Sequence, residues 1–354
     1  MLFFFLINQT SVVKVNGPAT SIIISSAAEN SNNSTTQDNN TTMITYVTID
    51  KKNITLPSAR SLLNQPQPYE EYDIFKLSPN LSNSSNTIVT AYFRVSSKHS
   101  TDQYDNWMRN FLSIQDHMVI YTQPELLPQI KEMRSHALDR TVIILMNMDA
   151  IPIGNLYPPE FWNDQLERDY EKARHSSYEL FWIWLNKPWI VMDAIRHNFY
   201  NSDLYMYADI GCFRSGSYNH KTVIQHREMV PKNEMLCQYF RLDPPKPPNI
   251  KFFDDKRKYA PHFYQAGSQL AAYTETWTTF YNMFLDMIDT FLLHNMLLVD
   301  DQCILQSVCL THPQVCAYVL AYEVYPRDKR YHVLRYVLHH GGKYNYWRLP
   351  NTTS

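Results

Sequence analysis

Hydrophobic and polar positions change character sharply near Thr87. From Asn8 to about Asn86 the chain is dominated by Asn, Ser and Thr, as in "NSNNSTTQDNNTT", with little hydrophobic period. Such composition buries too little apolar area to offset chain entropy, so residues 1–86 are expected to form a stalk without regular structure. Beyond Thr87, short apolar runs rich in β-branched residues alternate with amphipathic stretches. Thr87–Phe93, His117–Thr122, Thr141–Asn147 and Leu204–Ala208 read as buried strands. Residues 103–114 and 124–134 read as helices, and a long helical region runs from Pro159 to about His197. Pro188 must kink or divide that region, since it lacks an N–H and its ring clashes with the preceding turn. Strands alternating with helices predict an α/β fold: a mostly parallel sheet flanked by helices, one domain over residues 87–350, with 351–354 as a tail.

The second half is less regular. "DPPKPPNIKFFDDKRKYAP" reads as a Pro-rich, charged loop of a kind that covers a site. "FYQAGSQ" reads as a short strand or turn before a long helix, and Asp300 and Asp301 fall in the first turn of another helix.

Charge and cysteine content narrow the classes. A formal net charge of -2 lacks the basic footprint of a nucleic-acid binder, so no nucleic-acid partner is expected. The five cysteines show no C-x-x-C spacing, and Cys303, Cys309 and Cys316 in their apolar stretch read as core filler. Met1–Asn8, "MLFFFLIN", is far shorter than the ~20 residues that span a bilayer. It reads either as the remnant of a truncated signal anchor, which would give membrane anchoring, or as a greasy terminus. Glycosylation patterns N-x-[ST] begin at Asn8, Asn32, Asn33, Asn39, Asn40, Asn53, Asn80, Asn83 and Asn351, with none between Thr87 and Pro350. That partition fits a type II membrane or secreted protein of the Golgi or ER lumen. Low-complexity sequence generating the patterns by itself, in a cytoplasmic protein, is the alternative.

Candidate chemistry concentrates in four places. Asp209 ends the Leu204–Ala208 strand and is followed by Gly211, at the sheet edge where open α/β sheets bind ligands; as a bland alternative it caps a turn. Asp300, Asp301 and Gln302 open a helix, either capping it or supplying a general base. The "QAGSQ" turn offers Gln265, Gly267 and Ser268 between strand and helix. "LHHGGK" offers His339, His340 and Lys343. Arg94 and Lys187 are basic groups near these stretches, either ligand contacts or solvated and snorkelling bases.

The order "TIVTAYF", "MVIYT", "WIWLNKPWIVMDAI", "YMYADIGCFR", "YQAGSQ" and "DDQCIL" resembles the HtrL/YibB family, related to nucleotide-diphospho-sugar transferases of the GT-A fold. The resemblance spans roughly Thr87 to Pro350. It implies a GT-A-like, Rossmann-like domain that takes a nucleotide-sugar donor at the carboxyl edge of its sheet and passes the sugar to a glycan or small-molecule acceptor. Enzymes of that fold hold Mn²⁺ or Mg²⁺ on the donor pyrophosphate through Asp-x-Asp; here Asp209 is followed by Ile210 and Gly211. The resemblance further implies Asp209, His340 and His339 as metal ligands, Asp209, Gly211, Arg94, Lys187 and Lys343 on the donor nucleotide and its diphosphate, Gln265, Gly267, Ser268 and Gln302 around the sugar, and Asp301 on the acceptor side. A silent glycan- or nucleotide-binding module of the same fold is the alternative.

Overall fold

The computed structural model describes residues 54–64, 73–95, 99–169, 171–240, 265–324, 332–344 and 346–348, and the backbone of four strands further upstream. The domain sheet has eight strands: β1 (Asp73–Lys76), β2 (Asn86–Tyr92), β3 (Met118–Thr122), β4 (Thr141–Leu145), β5 (Leu204–Ala208), β6 (Met235–Tyr239), β7 (Gln265–Tyr273) and β8 (Cys316–Leu320). Their order is β8-β6-β7-β5-β2-β3-β4-β1. The pairs β5–β2, β2–β3, β3–β4 and β6–β8 run parallel, whereas β7 lies antiparallel between β5 and β6, and β1 antiparallel on β4. The result is a mixed α/β sheet flanked by helices.

Alternate residues of the strands feed two cores. Val89, Tyr121, Ile144, Tyr205, Tyr207, Cys237 and Tyr318 join one; Ile88, Ile120, Ile143, Met206, Leu236 and Ala317 join the other. Both faces are covered, which is why β2 to β5 read as continuous apolar runs rather than alternating ones. On the first face lie α1 (Ala59–Leu63), α4 (Pro159–Arg168), α5 (Glu179–Leu185), α6 (Lys187–His197), α7 (Thr274–Leu293) and α8 (Asp301–Thr311). On the second lie α2 (Thr101–Leu112), α3 (Leu127–Met133) and α9 (Leu334–His340).

The chain builds β2, β3 and β4 outward in one direction, then returns to place β5 on the other side of β2. That reversal opens a crevice between the carboxyl ends of β2 and β5, the position where open sheets of this type bind ligands.

The domain boundary moves upstream from Thr87. Leu56, Ala59 and Leu63 are buried in the first core. The Asp289 carboxylate of α7 accepts from Ser58 Oγ at 2.5 Å and from the Ala59 amide at 2.7 Å. β1 closes the sheet edge on β4. A few apolar groups, Leu56, Ala59 and Leu63, make these contacts, and the polar average of the region hides them. Likewise Phe4–Ile7, Thr10–Lys14, Ser21–Ser26, Met43–Ile49 and Ile54–Pro57 pair antiparallel in chain order, through clusters such as Ile22–Ile24 with high strand propensity. Among the described residues, no helix is long and apolar enough to cross a membrane. The expected covering loop and most of the glycosylation patterns lie outside the described residues; Asn80 and Asn83 are exposed.

Candidate functional site

Period-two geometry puts Tyr207 and Asp209 on one face at the end of β5, and α6 packs against that face. Pro188 divides the helical region at Asn186, as its chemistry requires, and leaves Lys187 as the first residue of α6. The Lys187 ammonium sits 3.2 Å from Asp209 Oδ1 and 2.9 Å from Asp301 Oδ2, and donates to the Gly267 carbonyl at 3.2 Å. Tyr207 donates its hydroxyl to Asp209 Oδ1 at 2.7 Å, and the Asp209 amide donates to Ser268 O at 2.8 Å. Three separate stretches of sequence thus converge on one cation at the crevice.

The two carboxylates differ in access. The side chains of Lys187 and Asp301 are each 4% exposed, whereas that of Asp209 is 36% exposed. Burial works against the Lys187 charge, but Asp209 and Asp301 together outweigh it and hold the ammonium above its ordinary pKa. The crowding of protein around Asp209 raises its carboxyl pKa, with Lys187 pulling the other way. Burial, then the charge on Asp301, pushes Asp300 well above the usual carboxylate range. Asp300 also caps α8, accepting from the Gln302 amide at 2.8 Å. Asp301 therefore lies beneath Lys187 rather than lining the open face as the acceptor-side residue expected from sequence.

Gly267 makes this approach possible. A Cβ there would lie 2.1 Å from Asp301 Oδ2. Of the two readings of "QAGSQ", strand or turn, the strand holds: it is the start of the nine-residue strand β7. Its Gln265, expected in a sugar pocket, is fully buried: the side chain donates to Cys237 Sγ at 3.4 Å and accepts from the Tyr318 hydroxyl at 3.0 Å. Gln302 spends its amide on the Gln265 carbonyl, 2.7 Å away. Ser268 is held between Gln238, at 3.1 Å, and His332 Nδ1, also at 3.1 Å.

Among the described residues His332 is a histidine that reaches this neighbourhood, and no motif in the sequence points to it. Burial, then Arg335 and Arg214, hold its pKa well below the ordinary value, so the ring is neutral. His339 and His340 lie elsewhere. His339 Nδ1 contacts the Thr222 carbonyl at 2.7 Å, and Thr222 lines a cleft with Asn86 and His117 at the starts of β2 and β3. The Leu338 carbonyl accepts from the His226 amide, and Arg227 next to it pairs with Asp203 at the start of β5. Both histidines thus sit toward the amino edge, the opposite end of β5 from Asp209. Lys343 lines a separate cleft with His340, Glu323 and Tyr336. The expected His339/His340/Lys343 contribution to the Asp209 site is corrected accordingly: the histidine that reaches Ser268 is His332, two residues before α9 begins, and not one of the pair in its last turn.

The carboxyl edge carries other groups. Arg94, past β2, donates through Nη2 to Gln129 at 3.2 Å and to Asp105 at 3.4 Å, and is half exposed. Gly211 follows Asp209 and faces Tyr104 and Trp107 of α2, either of which a Cβ would meet at 3.3 Å. Arg214, not anticipated, lies 4.4 Å over the Trp107 ring. Cys309 and Cys316, expected as core filler, form a disulfide, while Cys303 is buried and lies outside that bond.

No curated protein matches the sequence. A solved structure, the apo form of mouse xyloside xylosyltransferase 1, is similar at 10% identity and a TM-score of 0.35, covering 66% of this chain and 83% of its own. A family model described as "Bacterial protein of unknown function (HtrL_YibB)" matches residues 84–320, a span that contains Lys187, Asp209, Gly267 and Asp301. The chain belongs to the HtrL_YibB family.

Proposed function

We propose that the protein is a glycosyltransferase that moves a sugar from a nucleoside-diphosphate donor to a hydroxyl of a glycan or small-molecule acceptor. The observation behind this reading is the Lys187 ammonium braced between Asp209 and Asp301 at the crevice where the strand order reverses. In such a transfer the bond from the anomeric carbon to the diphosphate breaks, the acceptor oxygen takes its place and gives up its proton to solvent, and the diphosphate leaves with the electron pair. The charge that develops must be met by cations. Arg94 and Arg214 flank α2 at the same edge and suit that role.

Asp209 fits a divalent cation on its open side. Tyr207 and Lys187 occupy part of its carboxylate, and 36% of the side chain remains accessible. Mg²⁺ and similar ions are commonly held by one or two carboxylates together with substrate phosphates. A Mn²⁺ or Mg²⁺ ion there would offset charge on the leaving diphosphate. Lys187 and Tyr207 fix the direction of the Asp209 carboxylate, and Asp301 fixes Lys187, so Asp301 is a positioning residue.

The test is isothermal titration of the full chain with uridine and guanosine diphosphates, with and without Mn²⁺. Asp209→Asn should abolish the Mn²⁺-dependent binding while leaving the melting temperature nearly unchanged, and unaltered binding in that variant overturns the reading. The lack of a second acid at Gly211 favours one rival, a nucleotide-binding module without turnover. Release of nucleoside diphosphate from a sugar donor separates the two.

A further inference from the structure

A second cluster lies on the same face of the sheet, away from the crevice. Cys237 is the third residue of β6, and Cys316 opens the parallel neighbour β8. The register pairs Met235 with Cys316 and Cys237 with Tyr318, so the two cysteines project to one face, two residues apart. Cys309 reaches the same spot from α8, and the three sulfur atoms all lie within 4.8 Å of one another. Cys309 and Cys316 are bonded; Cys237 is a buried free thiol.

A structural crosslink needs two cysteines, and this one has a third thiol against it together with an aimed N–H donor. Gln265 Nε2 donates to Cys237 Sγ at 3.4 Å, and the Tyr318 hydroxyl, donating to Gln265 Oε1 at 3.0 Å, fixes which way the amide faces. An N–H directed at sulfur stabilises a thiolate. Burial raises the Cys237 thiol pKa, so the thiol stays protonated until a cation compensates its charge.

We propose that Cys237, Cys309 and Cys316 form a redox-gated site for a thiophilic cation, Zn²⁺ or Cu⁺. In the oxidised protein the Cys309–Cys316 bond closes the site. A thiol-class reductant opens it: two electrons and two protons pass to Cys309 and Cys316, and the reductant leaves as its own disulfide. Binding then displaces the thiol protons and leaves three thiolates on the ion. Zinc–sulfur bonds of about 2.3 Å in tetrahedral geometry place ligand sulfurs about 3.8 Å apart, within reach of this cluster. Soft thiolate sets select Zn²⁺ and Cu⁺ over Mg²⁺ and Mn²⁺, so the site does not compete with carboxylate chemistry at Asp209.

The experiment uses the full chain, oxidised or reduced by a phosphine without oxygen, titrated with Co²⁺ as the probe. Thiolate-to-cobalt charge-transfer absorption should appear at one equivalent in the reduced protein only, and Zn²⁺ should bleach it. Cys237→Ser should weaken Co²⁺ binding tenfold or more, as lost ligands and their supports do. The same variant when oxidised keeps the Cys309–Cys316 bond and should melt with the unaltered protein. Cys303→Ala, outside the cluster, should change nothing. The proposal is overturned by absence of the band after reduction, by equal affinity in Cys237→Ser, or by equal binding in the oxidised protein. Unfolding on reduction, read by circular dichroism and not reversed by Zn²⁺, overturns it too.

Discussion

Gly267 and Asp301 touch so closely that no side chain fits between them: a Cβ on Gly267 would fall 2.1 Å from Asp301 Oδ2 and 2.8 Å from its Cγ. Gly267→Ala must therefore push Asp301 off Lys187. Overpacking of this kind costs about 1–3 kcal/mol. Urea denaturation should read that loss, and nucleoside-diphosphate binding should weaken with it. A variant as stable as the parent would show that α8 shifts freely, and that the contact does not set the site.

Lys187→Met keeps the length of the stem and removes the charge. Asp301, 4% exposed, is then left facing Asp209 with no cation between them. Removing one partner of a buried pair costs about 3–5 kcal/mol. Asp301 accounts for most of this, because an exposed pair such as that with Asp209 is worth only about 0–1 kcal/mol. The deficit should shrink as pH falls, since protonation removes the unbalanced charge. Chemical denaturation at neutral and mildly acid pH tests this, and a constant deficit would argue against it.

His332 supplies a pH dependence of defined sign. Its folded pKa is depressed below the unfolded value, so below about pH 6.5 the unfolded chain binds the extra proton. Stability is present above that pH and is lost as pH falls toward the folded pKa. His332→Gln should flatten the stability profile in this window and leave the neutral-pH value nearly unchanged. An unaltered profile would point to other groups.

Asp300 acts with the opposite sign. Its folded pKa is raised, so the native state holds a proton that the unfolded carboxyl gives up above about pH 4. Its contribution is present below that pH and declines as pH rises through the folded pKa. Asn also caps helices well, so Asp300→Asn should keep the α8 cap and remove this decline. Stability curves of the two proteins should therefore separate with rising pH.

Truncation locates the start of the domain. Deleting residues 1–86 removes Leu56 and Leu63 from the core, and full burial of each such side chain is worth about 1.5–3 kcal/mol. It also strips β1 from the sheet edge and Ser58 from Asp289. That deletion should lower the melting temperature strongly, whereas deleting 1–53 should lower it less. Equal losses would place the boundary upstream of Ile54.

The central strands were legible because burial on both faces writes itself as uninterrupted β-branched runs, and Leu204–Ala208 matched to the residue. Pro188 announced the break at Asn186 through backbone chemistry alone. "QAGSQ" left strand and turn both open because glycine suits either, and here it makes room for Asp301 from another element. The antiparallel placement of β7, the Cys309–Cys316 bond and the reach of His332 to Ser268 depend on pairing between distant segments, which no local period encodes. His339 and His340 attracted attention by composition, but one short helix separates them from the turn that reaches the site.

The placement of Lys187 at the head of α6 has a consequence for biosynthesis. A polypeptide leaving the ribosome exposes Lys187 first, Asp209 soon after, and Asp301 only once α8 has emerged. Until then the ammonium lacks one of its two anionic partners and α6 has an incomplete seat on the sheet. The crevice therefore cannot be complete while only the first half of the chain has been made.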